Sequence, residues 1–366
     1  MKKGSTVKQV LKQGKKSKGQ LTVGLDLGDR NSRYCVLDEH GQVTLEGRVA
    51  TTTKAFQEVF GEMSRSRIAL ETGTHSPWVS RCLEELGHEV IVANARRVRL
   101  ITESSRKDDR MDAKALARLA RIDPELLSPV RHRSKEAQRD LMMIRARAVL
   151  VGARTMLINA ARGITKSYGE RMRKCGGHQM GEELAASLSP ALQSALQPLL
   201  AEIESLTRRI KEYNRRIEQL AKERYPEVER LTQVKGVGAL IALTYILTVE
   251  DPHRFRRSRD AGAFVGLRPK RRDSGSSSPQ LRISKEGDSY LRKMMVQGAQ
   301  FILGPFGMDS DLRRWGLGLA QHGGKNAKKR AVVAVARKLA VLLHKLWVSG
   351  EVYVPLRSQD RKVTAA

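Results

Sequence analysis

A run of nine regularly spaced side chains sets the strongest constraint on this chain. Leu192, Leu196, Leu199, Ile203, Leu206, Ile210, Tyr213, Ile217 and Leu220 recur in alternating steps of three and four. A seam of that period, with Arg, Lys and Glu between its members, belongs to a long helix that packs along its length against another. Pro226 stops it. Residues 135–166 are also helix-prone and supply a candidate antiparallel partner within the chain. A second copy of the chain would serve the same seam equally well.

Before this region the periodicity differs. Leu21-Thr22-Val23-Gly24-Leu25-Asp26-Leu27-Gly28 reads as a strand closed by a Gly-Asp turn, and residues 33–37 and 42–49 continue it as a three-strand meander. Helices are expected over residues 54–63, 77–86, 95–102 and 112–121. Strands are expected at residues 67–71 and 89–93. Strand–helix alternation after an antiparallel meander predicts an α/β layer with a mixed sheet.

After Pro226 two short helices should flank a Gly-x-Gly turn at Gly236 and Gly238. A polar loop over residues 268–280 should lead to a short strand at 281–284, a helix over 288–303 and a last helix over 325–347. The expected fold class is therefore α/β plus all-α. The segments are a basic arm (1–20), an α/β domain (21–130), a helical coiled-coil insertion (131–225), a small, mainly helical C-terminal domain (226–347) and a tail (348–366).

Charge narrows the partners. Lys and Arg number 68 against 39 Asp and Glu, a net charge of +29. A charge of that size attracts polyanions. No apolar run approaches the ~20 residues that span a bilayer, so nucleic acid is favoured over a membrane. Aromatics make up only 4% of the chain, which argues against recognition dominated by base stacking. Cys35, Cys82 and Cys175 form no Cys-x-x-Cys pair, so a structural zinc site or disulfide framework is not indicated, and a cytoplasmic setting is expected.

Three constellations carry chemistry. Asp26 lies within a strand among Val23, Leu25 and Leu27, where a lone charge is costly. Glu71 ends a later strand, and Asp109 and Asp112 share one face of a helix. Four carboxylates brought together would suit Mg²⁺ or Mn²⁺. A turn-capping Asp26 with surface ion pairs elsewhere is the plainer alternative. Asp108 rivals Asp109, because it too shares a face with Asp112. The second constellation is the loop Lys270-Arg271-Arg272-Asp273-Ser274-Gly275, preceded by Arg268, in which guanidinium forks surround a hydroxyl. Lys285 and Arg292 follow as further phosphate contacts. The third is Lys235-Gly236-Val237-Gly238, where backbone N–H groups can meet phosphates, or where a plain turn joins two core helices.

Leu25-Asp26-Leu27-Gly28, Ala69-Leu70-Glu71-Thr72-Gly73, Lys107-Asp108-Asp109-Arg110-Met111-Asp112-Ala113, Gly266-Leu267-Arg268-Pro269, Ser274-Gly275 and Ile283-Ser284-Lys285-Glu286-Gly287-Asp288 together resemble the DEDD transposases of a class of bacterial insertion sequences, a group that includes the Piv-type DNA invertases. The resemblance implies a RuvC-like, ribonuclease-H-fold N-terminal domain. It implies Asp26, Glu71, Asp109 and Asp112 as the metal-binding carboxylates, with the motif favouring Asp109 over Asp108. It also implies Ser274 as the nucleophile of a C-terminal serine domain. Donor and target DNA would be selected by a structured bridge RNA encoded by the element. Strand exchange would pass through a phosphoserine, in an active site shared between subunits of a dimer or tetramer joined through the coiled coil. The expected location is the bacterial cytoplasm, at the nucleoid. A Holliday-junction nuclease using water, and a non-catalytic nucleic-acid scaffold, are the competing readings.

Overall fold

A computed structural model describes residues 21–96, 109–279, 281–322 and 324–357. They fall into two compact units, one ending at Arg133 and one beginning at Ser134.

The first unit is built on a five-stranded mixed sheet in the order β3-β2-β1-β4-β5. The strands are β1 (Thr22–Asp26), β2 (Asn31–Leu37), β3 (Val43–Ala50), β4 (Arg67–Glu71) and β5 (Glu89–Ala93). The meander is antiparallel, while β1–β4 and β4–β5 run parallel. Helices α1 (Thr53–Phe60) and α2 (Ser76–Glu85) accompany the sheet, and Val23, Leu25, Phe56, Phe60, Ile68, Leu70, Val79 and Leu83 form one apolar core. Helix α3 (Asp109–Ile122) covers the opposite face, where Ala113 and Ala117 pack with Cys35 and Leu37, and Leu116 and Ala120 with Ala69 and Ile91.

Alternation along β1 explains the division. Val23 and Leu25 point to one face, and Gly24 and Asp26 to the other. Gly24 lets α3 lie directly on the strand: a Cβ there would stand 1.9 Å from the Ala113 carbonyl oxygen and 2.5 Å from the Ala117 nitrogen. The expected helix at residues 95–102 lies mostly outside the described residues, as does the arm at 1–20.

The second unit begins with α4 (Lys135–Ser167) and α5 (Pro190–Arg224). Their bonded partners identify an antiparallel pair. Asp140 meets Arg224, Arg147 meets Asn214 at 2.6 Å, and Arg154 meets Thr207 at 3.2 Å, so position falls on one helix as it rises on the other. The heptad seam is thus packed within the chain. Leu192, Leu196, Ile203, Leu206, Ile210 and Ile217 are buried, whereas Leu199, Tyr213 and Leu220 are only partly so. Leu200 and Ala221 sink in instead, as the drift of a 3.6-residue helix from a 3.5-residue repeat requires. Far along the arm Ile158, Ala161, Met180, Ala185, Leu188 and Leu192 form a separate core.

The base of the arm joins the main core with α6 (Glu227–Thr232), α7 (Ala239–Val249), α8 (Arg259–Phe264), α9 (Ser289–Leu303), α10 (Asp311–Gln321) and α11 (Ala327–Ser349). Buried Asp140 fixes that junction by accepting from Arg224 Nη1 at 2.7 Å, the Tyr225 hydroxyl at 2.6 Å and Arg139 Nε at 3.2 Å. Burial and this bond push the Tyr225 phenol up to about 12. One expectation changes, and one helix is added. The short strand at 281–284 is reduced to a single antiparallel bridge, Pro269 to Ile283, because its pairing with residues 268–270 stops at the two backbone bonds that flank it. Helix α10, not anticipated, is capped by the Ser310 hydroxyl, which accepts from the Arg313 nitrogen.

Gly24→Ala should lower the stability of the first unit by more than about 2 kcal/mol, since its Cβ meets helix backbone with nowhere to relax. Urea unfolding followed by circular dichroism measures this.

Candidate functional site

The acidic constellation follows from sheet register. Leu25 pairs with Leu70 across parallel β1 and β4, so the next residues, Asp26 and Glu71, end neighbouring strands side by side. By alternation both share the α3 face with Gly24 and Ala69. Because α3 crosses β1 at Ala113, Asp112 stands one residue from the crossing, at the same end of the sheet. Its charge reaches Glu71: burial first, then the Asp112 carboxylate, push the Glu71 carboxyl above the usual carboxylate range. All three are partly buried.

Asp109 is the first residue of α3. Its side chain, and all of Asp108, lie outside the described residues. Among the described residues no three His, Cys, Asp or Glu side chains already stand as a metal-binding group. The chemistry of the donors nevertheless fits a hard divalent cation: oxygen ligands, partial burial, and two like charges, Glu71 and Asp112, that disfavour one another.

The serine constellation is a tight hairpin. Ser274 and Ser277 exchange backbone hydrogen bonds at 3.1 and 3.0 Å, and Gly275 takes the left-handed conformation (φ +55°) at the first turning position. The Ser278 hydroxyl donates to Asp273 Oδ1 at 2.8 Å, which closes the loop and occupies the neighbouring carboxylate. Ser274 is exposed, as are Arg268, Lys270, Arg271 and Arg272. The hairpin therefore presents a hydroxyl among cations, an arrangement suited to a phosphate oxyanion.

Its base is rigidly tied. The Lys270 nitrogen donates to the Arg282 carbonyl at 2.9 Å, and the Ser284 nitrogen to the Arg268 carbonyl at 2.8 Å. Gly266 (φ +74°) and Gly287 (φ +72°) cross backbone at distances that exclude a Cβ. Lys285 stays exposed in a left-handed turn. Arg292 points inward and donates to the carbonyls of Val265 at 3.0 Å and Glu286 at 2.8 Å, so it fastens this base rather than standing free for phosphate.

The glycine turn divides similarly. Gly236 (φ +103°) is pressed against Phe301 and Ile302 of α9. Lys235 is exposed, and exposed Gly238 opens the N-terminus of α7.

One contact escaped sequence reasoning. Arg145 of α4 forms an ion pair with Asp288 and covers the Tyr290 ring at 4.9 Å, while Asp288 caps α9 by accepting from the Leu291 nitrogen at 2.8 Å. The helix beginning at Asp288 was expected from the sequence. Its arginine, far away along the chain, was not.

Carboxylates at the end of a mixed sheet in one unit, and an exposed hydroxyl flanked by cations in the other, thus stand in a strongly basic chain. A transposase model, DEDD_Tnp_IS110, matches residues 23–169, and a second, described as "Transposase IS116/IS110/IS902 family", matches residues 228–306. The chain belongs to this family of insertion-sequence transposases. It is 29% identical over 340 residues to the transposase for insertion sequence element IS1111A of Coxiella burnetii, covering 90% of each chain. It is 27% identical to a "probable family 20 transposase" of Pseudomonas aeruginosa, covering 91% of this chain and 98% of that one. No helix among the described residues is long and apolar enough to cross a membrane.

Glu71→Gln should raise Tm of the metal-free protein by roughly 1–3 °C at neutral pH. A carboxyl raised in the folded state destabilises the fold when ionised, so the gain should fade as pH falls through the carboxylate range and Glu71 protonates in any case. Thermal melts of both proteins from pH 4 to 8 test this.

Proposed function

We propose that this transposase cuts and rejoins DNA strands by a serine-based transesterification supported by a divalent metal ion, with its DNA partners chosen by a structured RNA. The observation that carries the reading is the pairing of two chemistries in one family-matched chain: carboxylates gathered at the ends of β1 and β4 beside α3, and an exposed Ser274 held among Arg268, Lys270, Arg271 and Arg272.

The sheet order and strand directions are compatible with a RuvC-like domain. Asp26, Glu71, Asp112 and Asp109 would hold Mg²⁺ or Mn²⁺. When bound, such an ion neutralises charge on a phosphodiester and orients its oxygens. The chain's own groups do the rest. The arginines grip the non-bridging phosphate oxygens. Gly275 keeps the hairpin narrow enough for Ser274 Oγ to approach phosphorus. The Oγ–P bond forms as the bond from phosphorus to one DNA oxygen breaks, and the serine proton ends on the departing strand hydroxyl. A hydroxyl of the partner strand then attacks the phosphoserine, releasing Ser274 and restoring a phosphodiester.

Exposed Lys235 and the backbone at Gly236 and Gly238 would add sequence-independent contacts to phosphate. Sequence choice is assigned to a bridge RNA that pairs with donor and target. A dimer or tetramer, formed by faces other than the filled seam of α4 and α5, supplies the copies that two DNA duplexes need.

Incubation with element DNA, its flanking RNA and Mg²⁺ should give a protein–DNA adduct on a denaturing gel. Ser274→Ala should abolish the adduct and all strand cutting. Asp26→Ala should reduce both by at least ~100-fold, the scale of losing a metal-supported step. Cutting that persists in Ser274→Ala would instead identify a water-using nuclease.

DNA binding should also weaken steeply between 50 and 200 mM salt, by roughly 10³-fold or more, through release of counterions from several phosphates. Affinity that stays flat would exclude the basic surface as the contact surface.

A further inference from the structure

The serine hairpin stands at the edge of a large groove that the reading above does not use. The groove has a volume of about 1370 Å³ and runs between α10, α11, the stem of the hairpin and the segment 351–357. It exceeds the roughly 300–1,000 Å³ of ordinary small-molecule sites, so an extended ligand suits it better than a metabolite.

Its floor is apolar: Leu312 and Trp315 on α10, Val333, Ala334, Val341 and Leu342 on α11. Its rim is cationic. Arg282 and Lys285 rise from the hairpin base, and Arg330, Arg337, Lys338 and Lys345 from α11. Two acids also line it. Of these, Glu351 is neutralised by Lys345 at 3.8 Å and Arg357 at 3.2 Å. The ammonium of Lys338 lies 3.6 Å over the Trp315 ring, an ordered cation on an aromatic floor. The wall at 351–357 is fixed. The Tyr353 nitrogen donates to Gln233 Oε1 at 2.8 Å, and the Asp311 nitrogen donates to the Pro355 carbonyl at 2.8 Å.

We propose that this groove holds unpaired nucleotides of the cleaved DNA strand, next to the phosphate attacked by Ser274. An apolar floor takes the faces of unstacked bases, and a cationic rim tracks their phosphates, the two elements that single-strand sites combine. Duplex DNA presents its bases edge-on inside a charged sheath and gains nothing from such a floor. Continuity favours DNA over a protein partner. Pro269 and Ile283, which bridge at the hairpin stem, also line the groove. The five residue steps from Pro269 to Ser274 span at most roughly 17 Å, within reach of a few nucleotides of the attached strand. An acidic amphipathic peptide would match the charge but not this link to Ser274.

The proposal rests on Ser274 as nucleophile, so binding is measured apart from chemistry. Full-length Ser274→Ala protein is titrated with a fluorescent single-stranded octadeoxynucleotide, a blunt duplex of the same length, the matching RNA and an acidic amphipathic peptide. Anisotropy and tryptophan emission are recorded.

The single-stranded DNA should bind at least tenfold more tightly than the duplex and quench tryptophan emission, with the quench lost in Trp315→Leu. Ala334→Glu, on the groove floor, should weaken single-strand binding tenfold or more and leave duplex binding unchanged. Arg330→Gln and Arg337→Gln, exposed or partly exposed charge changes that spare the core, should weaken it and flatten its salt dependence. Equal affinity for single strand and duplex, indifference to Ala334→Glu, preference for RNA, or occupation by the peptide alone would each overturn the proposal. Adduct formation by the wild-type protein is scored separately, so loss of the serine mechanism and loss of the groove register as different results.

Discussion

The arrangement of the first unit depends on one close approach, that of α3 backbone to β1 at Gly24. A helix normally stands off a sheet by the thickness of its side chains. Here the missing Cβ lets Ala113 and Ala117 settle against the strand itself. That contact sets both the height and the rotation of α3, and so the position of Asp112 relative to Glu71 and Asp26. The carboxylates repel, and burial of Glu71 sharpens the repulsion. Their proximity is therefore imposed by packing elsewhere in the unit.

The serine hairpin is positioned by the opposite strategy. Its tip makes few contacts, and order is invested in its base. Arg292 binds two carbonyls there, Gly266 and Gly287 cross in a conformation that excludes side chains, and Asp288 ties the helix cap to Arg145 on the arm. A rigid base with an open tip leaves the Ser274 hydroxyl exposed on a fixed support.

Much of this was legible in the sequence, for identifiable reasons. The meander, β4, β5, α5 and the glycine turn announced themselves because each follows from local periodicity or turn chemistry. The neighbourhood of Asp26 and Glu71 was suggested by buried-type strands that contained charges. What stayed hidden depends on distant partners. Nothing local to Arg145 points to Asp288, and nothing in Gly24 distinguishes a helix-bearing glycine from a weak position in a strand. The seam showed that α5 packs along its length and offered residues 135–166 or a second copy as its partner; tertiary contacts decided for α4. The expected strand at 281–284 had the right composition, but its pairing with residues 268–270 stops at one bridge, a limit no local pattern reveals.

The arm has a mechanical consequence. At 1.5 Å per residue, α4 (Lys135–Ser167) is a rod roughly 50 Å long, comparable to about 15 base pairs of duplex. Its two ends belong to separate apolar cores, one at the base and one near the tip. Between them the helices are joined by Arg147 with Asn214 and Arg154 with Thr207, beside the buried Leu206 and Ile210 of the seam. The two cores are thereby held a fixed distance apart by one unbroken helix, a spacing set by its residue count.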